Sequence, residues 1–474
     1  MRSQVTTAEE AGGRYRWQAL AVCLIAAFMT LLDVSIVNVA LPSVQQGLDA
    51  SESELQWILS GYALTFGLVL VPAGRLGDAR SRRAVFMGGL ALFTAASAAA
   101  GAAPGILTLI LARLVQGVAG GVINPQVAGL IQQMFRGAER GRAFGALGAT
   151  IGIATAVGPL LGGVLIGLAG PADGWRWVFY VNIPVGLAAL ALAWKLLPAP
   201  VFGERQSLDP VGVGLLGIGV VAFMLPFLQE QQWPGAAKWL LVPAGLAVLA
   251  LFVLWERRHP APLVDLGLFR LRSYALGSLL ALLYFAGFTA IFFIFTVFLQ
   301  NGRDYSALQA GLAITPFAVG SGVAAFVGGR IVARFGRPLV VLGLALVTIG
   351  LGTAWLAVEL WPGDGVGWAT ALPLLVGGVG SGLVISPNQT ITLSEVPSTE
   401  GGAAAGVLQT GQRMGSAVGI AAAGAVFFAT VAGTRGDWAA AFRHGLVVVL
   451  LFVLAALAVA CQDMISGRRR GSSG

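Results

Sequence analysis

The chain has 474 residues, of which 57% are hydrophobic and only 11% charged, where a soluble protein of this size would carry about 25% charged residues. With a mean hydropathy of +0.83, this composition excludes a soluble globular enzyme and predicts an all-α polytopic membrane protein. The net charge of +8 does not point to nucleic acid, because the basic residues flank apolar segments and form no aromatic-interleaved patch.

Apolar stretches of about 20 residues are long enough to cross a bilayer as helices. Fourteen are expected, at 16–41, 54–73, 84–102, 105–134, 143–168, 176–197, 209–229, 238–256, 273–299, 307–333, 338–358, 368–390, 402–431 and 441–465. The first is too long for a cleaved leader, holds Asp33 and lacks a small-residue cleavage site, so it is expected to be a retained span. With the N-terminus in the cytoplasm, 22 Lys and Arg fall on the inner side, from Arg2, Arg14 and Arg16 through Arg205 to Arg468, Arg469 and Arg470. Only 5 fall on the outer side: Arg176, Lys238, Arg303, Arg435 and Arg443. That asymmetry predicts a multi-pass protein of the cytoplasmic membrane with both termini inside.

Cys23 and Cys461 lie in apolar segments without partner spacing, and His259 and His444 offer no metal cluster. The stretch Gly74 to Arg83 after span 2 is faintly repeated by Gly329 to Arg337 after span 10. Related halves are common in secondary transporters. The expected division is therefore a first six-helix bundle at 1–200, an inserted helix pair at 201–260 and a second six-helix bundle at 261–474.

Four segments carry the chemistry. The first is Leu32-Asp33-Val34-Ser35-Ile36-Val37-Asn38-Val39-Ala40-Leu41-Pro42, with a carboxylate at a depth that costs roughly 2.5–3.5 kcal/mol or more. The second is the loop Gly74-Arg75-Leu76-Gly77-Asp78-Ala79-Arg80-Ser81-Arg82-Arg83. The third is Arg113-Leu114-Val115-Gln116-Gly117 in span 4. Asp33 precedes Pro42 by nine residues and Arg113 follows Pro104 by nine, so at 1.5 Å per residue both sit about 13 Å below the outer edge. Opposite charges at one depth can meet if their helices are neighbours. The fourth runs from Gly148 through Gly152, Gly158, Pro159 and Gly162 to Gly163. Glycines four apart share a helix face and permit backbone contact, and Pro159 removes a helix hydrogen bond.

Together and in this order, these segments resemble those of the fourteen-helix drug–proton antiporters of the major facilitator superfamily. The resemblance covers nearly the whole chain, with Ser35 standing where Thr is usual and Ala79 and Ser81 departing from the loop pattern. It implies that Asp33 cycles between protonated and charged states beside Arg113, which favours the charged form while burial favours the neutral one. It implies gating by Gly74, Asp78, Arg82 and Arg83, with Asp78 accepting hydrogen bonds at the amino end of a helix in the opposite half. The span 5 motif implies export by antiport. Blander readings stand beside these: a static Asp33–Arg113 ion pair, arginines that only fix topology, and glycines that only pack. The run Trp175-Arg176-Trp177-Val178-Phe179-Tyr180-Val181-Asn182-Ile183-Pro184 also resembles the family and is expected to anchor span 6 at the interface.

Candidates for the substrate cavity are Asn38, Gln116 and Asn124 in the first half, and Tyr284, Phe288, Phe292, Asn388, Gln409 and Arg413 in the second. Arg413 has no acidic partner in sequence view. It contacts an anionic substrate, pairs with Asp33 in one state or bonds backbone carbonyls, and the sequence leaves all three open. The expected function is proton-coupled export of hydrophobic or amphipathic drugs by alternating access, energised by the proton gradient with no cofactor and no metal. The partners are a small-molecule substrate, protons and the lipid bilayer, with a periplasmic adaptor left open. The alternatives are an exporter dedicated to one natural product, a symporter of the same fold, or a membrane enzyme, for which no catalytic cluster is visible.

Overall fold

The computed structural model describes residues 2–170, 172–198, 209–229, 233, 235–361, 363 and 365–471. Arg205 and the division expected at 200–201 lie outside the described residues. Fourteen helices are long and apolar enough to cross a membrane, and no strand occurs among the described residues. In chain order they are α1 (Gly13–Leu48), α2 (Glu52–Ala79), α3 (Arg82–Gly101), α4 (Ile106–Met134), α5 (Gly137–Ala169), α6 (Gly174–Leu196) and α7 (Pro210–Leu228). They continue with α8 (Ala236–Glu256), α9 (Arg272–Arg303), α10 (Leu308–Phe335), α11 (Arg337–Leu360), α12 (Ala371–Thr392), α13 (Ser398–Gly433) and α14 (Trp438–Ile465).

Several helices outrun the expected boundaries, α2 ending at Ala79 rather than 73 and α5 starting at Gly137 rather than 143, and two differences bear on the site. Helix α1 does not stop near Pro42 but carries that proline inside it and ends at Leu48, because a proline removes only one hydrogen bond and the next residues are compatible with helix. The stop comes at Asp49, whose φ of 50° is left-handed. Helix α6 is interrupted at Val181, between Tyr180 and Asn182. Pro184 has no N–H for the Tyr180 carbonyl four residues back, so the ladder opens at this point.

Lipid tails are as apolar as leucine, so these helices associate through close packing rather than water exclusion. Two seams join α1–α6 to α9–α14. Along α5 and α10 the backbones touch: a Cβ on Gly141 would lie 2.6 Å from the Gly329 oxygen, and one on Gly152 would lie 2.8 Å from Gly322 Cα. Along α2 and α13, a Cβ on Gly406 would lie 2.6 Å from the Leu70 oxygen. The pair α7–α8 lies across this second seam. Leu216, Val220 and Met224 cluster with Val71 of α2 and Ala417 of α13, and Gln56 and Ser60 both donate to the Leu228 carbonyl, at 2.7 and 3.3 Å.

Helices α7 and α8 meet at Gly245, where a Cβ would lie 2.7 Å from Phe223 N, whereas Gly214 has open space around it. Replacing Gly245 by Leu should therefore destabilise the protein by about 1–3 kcal/mol through overpacking, and Gly214→Leu should not. Thermal unfolding in detergent, followed by tryptophan fluorescence, compares the two.

Candidate functional site

Asp33 is fully buried on α1 and forms an ion pair with Arg113 of α4, itself 1% exposed. The Arg113 guanidinium holds one carboxylate oxygen. The other accepts from the side-chain amides of Asn182, at 3.1 Å, and Gln116, at 3.3 Å. Gln116 is fixed in turn: its amide nitrogen donates to Ser97 Oγ at 2.7 Å and its oxygen accepts from Arg113 at 2.9 Å. Arg113 also donates to the Ile58 carbonyl at 3.3 Å and lies 4.3 Å above the Tyr62 ring. Five helices, α1, α2, α3, α4 and α6, thus converge on one carboxyl group, and two of its donors, Arg113 and Gln116, are themselves held by neighbours.

The depth count from the two prolines placed Asp33 and Arg113 level, and they are in contact. Asn182, Ser97 and Tyr62 were not singled out as site residues. Asn182 stood in the aromatic run that read as an interfacial anchor. The available signal was an amide side chain inside an apolar span, the residue type that needs a buried polar partner.

The Gly74–Arg83 motif, expected as a loop, is largely helical: Gly74 to Ala79 finish α2 and Arg82 and Arg83 begin α3, leaving only Arg80 and Ser81 between them. It lies at one end of the molecule, where four sets of bonds cross between the halves. Asp78 accepts from the backbone N–H groups of Gly402 and Ala403, at 3.0 and 2.8 Å. It thereby caps the amino end of α13, where the helix dipole favours an anion. Arg82 is bonded to Asp78 at 2.5 Å and reaches the Ser398 carbonyl. Gln132 donates to the Gly401 carbonyl at 3.5 Å and Arg140 to that of Ser394 at 3.3 Å. Gly74 lies against Gly402 so closely that a Cβ would collide with the Gly402 oxygen. Arg83 does not join this cap: it bonds the Trp194 and Leu197 carbonyls at the end of α6, in its own half.

The glycines of α5 face two neighbours. Gly148 and Gly152 face α10 through Ala325 and Gly322, while Gly158 and Gly162 face α1 at Ser35 and Ile36. Pro159 lies near Gly311 of α10, and Gly163 meets nothing within 4 Å. One motif therefore ties the Asp33 helix to the opposite half.

The structure disperses the cavity candidates. Gln116 belongs to the Asp33 cluster. Asn38 bonds its own helix at Val34, and Asn124 bonds Gly120 and, at 3.4 Å, Thr30. Tyr284 is 1% exposed and packs against Phe288, which in turn meets Phe292 and Phe317 in an aromatic group of α9 and α10. Asn388 is engaged by the Gly277 carbonyl and by Arg337, both at 2.9 Å. Arg337 also pairs with Asp463 of α14, so Asn388 serves a clamp at the end of the second half. Arg413 lies 4.5 Å over the Phe66 ring, and among the described residues no carboxylate pairs with it. Gln409 stands one turn before it on α13. Tyr62 and Phe66, whose rings are 5.9 Å apart, therefore carry one arginine from each half.

The profile of the Major Facilitator Superfamily matches residues 23–420 and 278–470. The chain is 38% identical over 420 residues to the probable actinorhodin transporter of Streptomyces coelicolor, spanning 87% of this chain and 72% of that one. It is 36% identical to the puromycin resistance protein of Streptomyces alboniger, with 86% and 80% covered. It is 32% identical to the tetracenomycin C resistance and export protein of Streptomyces glaucescens, with 90% and 78% covered. The fold is shared with the human organic anion transporter MFSD10, at a TM-score of 0.65 and 15% identity, covering 94% of this chain and 99% of that one. It is shared equally with the proton:xylose symporter XylE, at 0.65 and 15%, with 94% and 95% covered. The chain is a multi-pass membrane transporter that belongs to the drug-efflux branch of the major facilitator superfamily.

Proposed function

We propose that the chain exports hydrophobic or amphipathic antibiotics across the cytoplasmic membrane, both termini inside, in exchange for protons. The observation that carries this reading is the enclosed Asp33 carboxyl group, held between one cation and two neutral side-chain donors. A carboxylate here must be neutralised by a partner or by a proton, since an uncompensated charge in low dielectric costs several kcal/mol. Any movement that draws Arg113 away makes protonation the cheaper solution.

In the proposed cycle, cargo binds from the cytoplasm or inner leaflet while Asp33 is charged. The Asp78 end then closes, as it is closed here, and cargo leaves on the far side. A proton reaching Asp33 from outside favours the return. The motif of α5 couples the two events, because it packs the Asp33 helix and the α10 backbone on one helix. The names of the relatives support efflux of antibiotics, and several are named for one compound. An exporter dedicated to a single natural product is therefore the second reading.

In proteoliposomes with an imposed pH gradient, offered puromycin and tetracenomycin C, the native chain should accumulate at least one of the two against its gradient. Asp33→Asn should insert and lose gradient-driven accumulation, and Asp33→Glu, which keeps a titratable group, should retain part of it. Gradient-driven accumulation by Asp33→Asn at the native rate would rule out this acid as the coupling group. Arg113→Ala strands a buried carboxylate and should cost about 3–5 kcal/mol unless Asp33 takes up a proton. Its thermal stability should therefore rise as pH falls, unlike that of the native chain.

Asp78→Asn removes the anion that caps α13. It should loosen the closed end, so that a cysteine placed at Gly401 becomes reactive to a water-soluble maleimide, at about tenfold the rate seen with Asp78 intact for a loss of about 1–2 kcal/mol. An unchanged labelling rate would show that the cap does not hold this end shut.

A further inference from the structure

The two seams between the halves differ in what covers them. Helices α7 and α8 lie across α2 and α13. The α5/α10 seam instead opens into a groove of about 490 Å³, lined by Trp17, Arg142, Ala146, Phe326 and Arg330. Both arginines are exposed. Arg142 is five residues inside the start of α5, and Arg330 five residues before the end of α10. At 1.5 Å per residue each sits about 8 Å inside its helix end, the depth of lipid headgroups and glycerol.

Neither cation is paired among the described residues. Arg330 lies 4.1 Å over the Phe326 ring, and the nearby acid Glu139 is taken by Arg16, at 3.3 Å. Each arginine also adjoins the tightest contact of the seam, Gly141 against Gly329. Two like charges from opposite halves thus flank a backbone-to-backbone contact, and their repulsion opposes it. An anion between them reverses that sign.

We propose that this groove binds the headgroup of an anionic phospholipid, Arg142 and Arg330 gripping its phosphate from opposite halves while Phe326 and Trp17 receive the glycerol and upper acyl chain. A phosphate offers oxygens to both guanidinium forks. The basic loops on this side suit an anionic leaflet, where each arginine near the surface contributes about 1 kcal/mol. A bound lipid ties α5 to α10 at the end that Asp78 also closes, so it favours the closed-end state.

Native mass spectrometry of the delipidated full chain, with phosphatidylglycerol or phosphatidylcholine added at equal concentration, tests this. The native chain should retain phosphatidylglycerol preferentially. Arg142→Gln or Arg330→Gln should each reduce that retention about fivefold, and the double variant should lose the preference. In phosphatidylcholine the double variant, relieved of that repulsion, should melt no lower than the native chain, but it should gain none of the stabilisation that phosphatidylglycerol gives. Arg257→Gln with Arg258→Gln, a basic pair elsewhere, should leave the preference intact. The proposal is overturned by equal retention of both lipids, by native-like retention in the double variant, by an equal loss in the control pair, or by equal stabilisation from inorganic phosphate.

Discussion

A carboxyl group enclosed by membrane helices has two ways to be tolerated, a cation beside it or a proton on it. At Asp33 both are within reach. Arg113 supplies the charge, while Asn182 and Gln116 supply neutral donors that hold the carboxylate in place. Burial of an ion pair gains little net stability, because desolvation consumes most of the attraction. What it does create is a steep dependence of charge state on geometry. In the proposed cycle, a shift of α4 relative to α1 that would be trivial on a protein surface is what changes the partner of Asp33.

Two kinds of contact between the halves bear on the proposed movement. Along α5 and α10 the halves meet through backbone-to-backbone glycine contacts with few side chains between them, whereas at the Asp78 end they are held by hydrogen bonds to the start of α13. Helices α7 and α8 brace one seam from outside. The other carries the groove with Arg142 and Arg330, where the proposed headgroup would join the halves.

Much of this could be read from residue order, for identifiable reasons. Apolar runs must match bilayer thickness, so the fourteen spans stand out even though α1 runs past Pro42. Equal counts from Pro42 and Pro104 brought Asp33 and Arg113 to one level, and depth is one coordinate that a helical sequence does encode. Lateral position is not encoded in the same way. Asn182 reaches Asp33 from α6, 149 residues along the chain. Arg83 turns to its own half. Asn388 is engaged by Arg337, whose acid, Asp463, comes from α14, far along the chain. Tyr284 disappears into an aromatic group that helical periodicity alone could equally have turned toward a cavity.

The exchange of a proton for cargo at Asp33 is tested most directly by whether cargo binding displaces a proton. Purified protein in weak buffer with a pH-indicating dye should release protons when a transported compound binds, and Asp33→Asn should bind the compound without release. Binding to the native chain with no proton displaced, or equal release from the variant, would contradict the coupling role given to this carboxyl group.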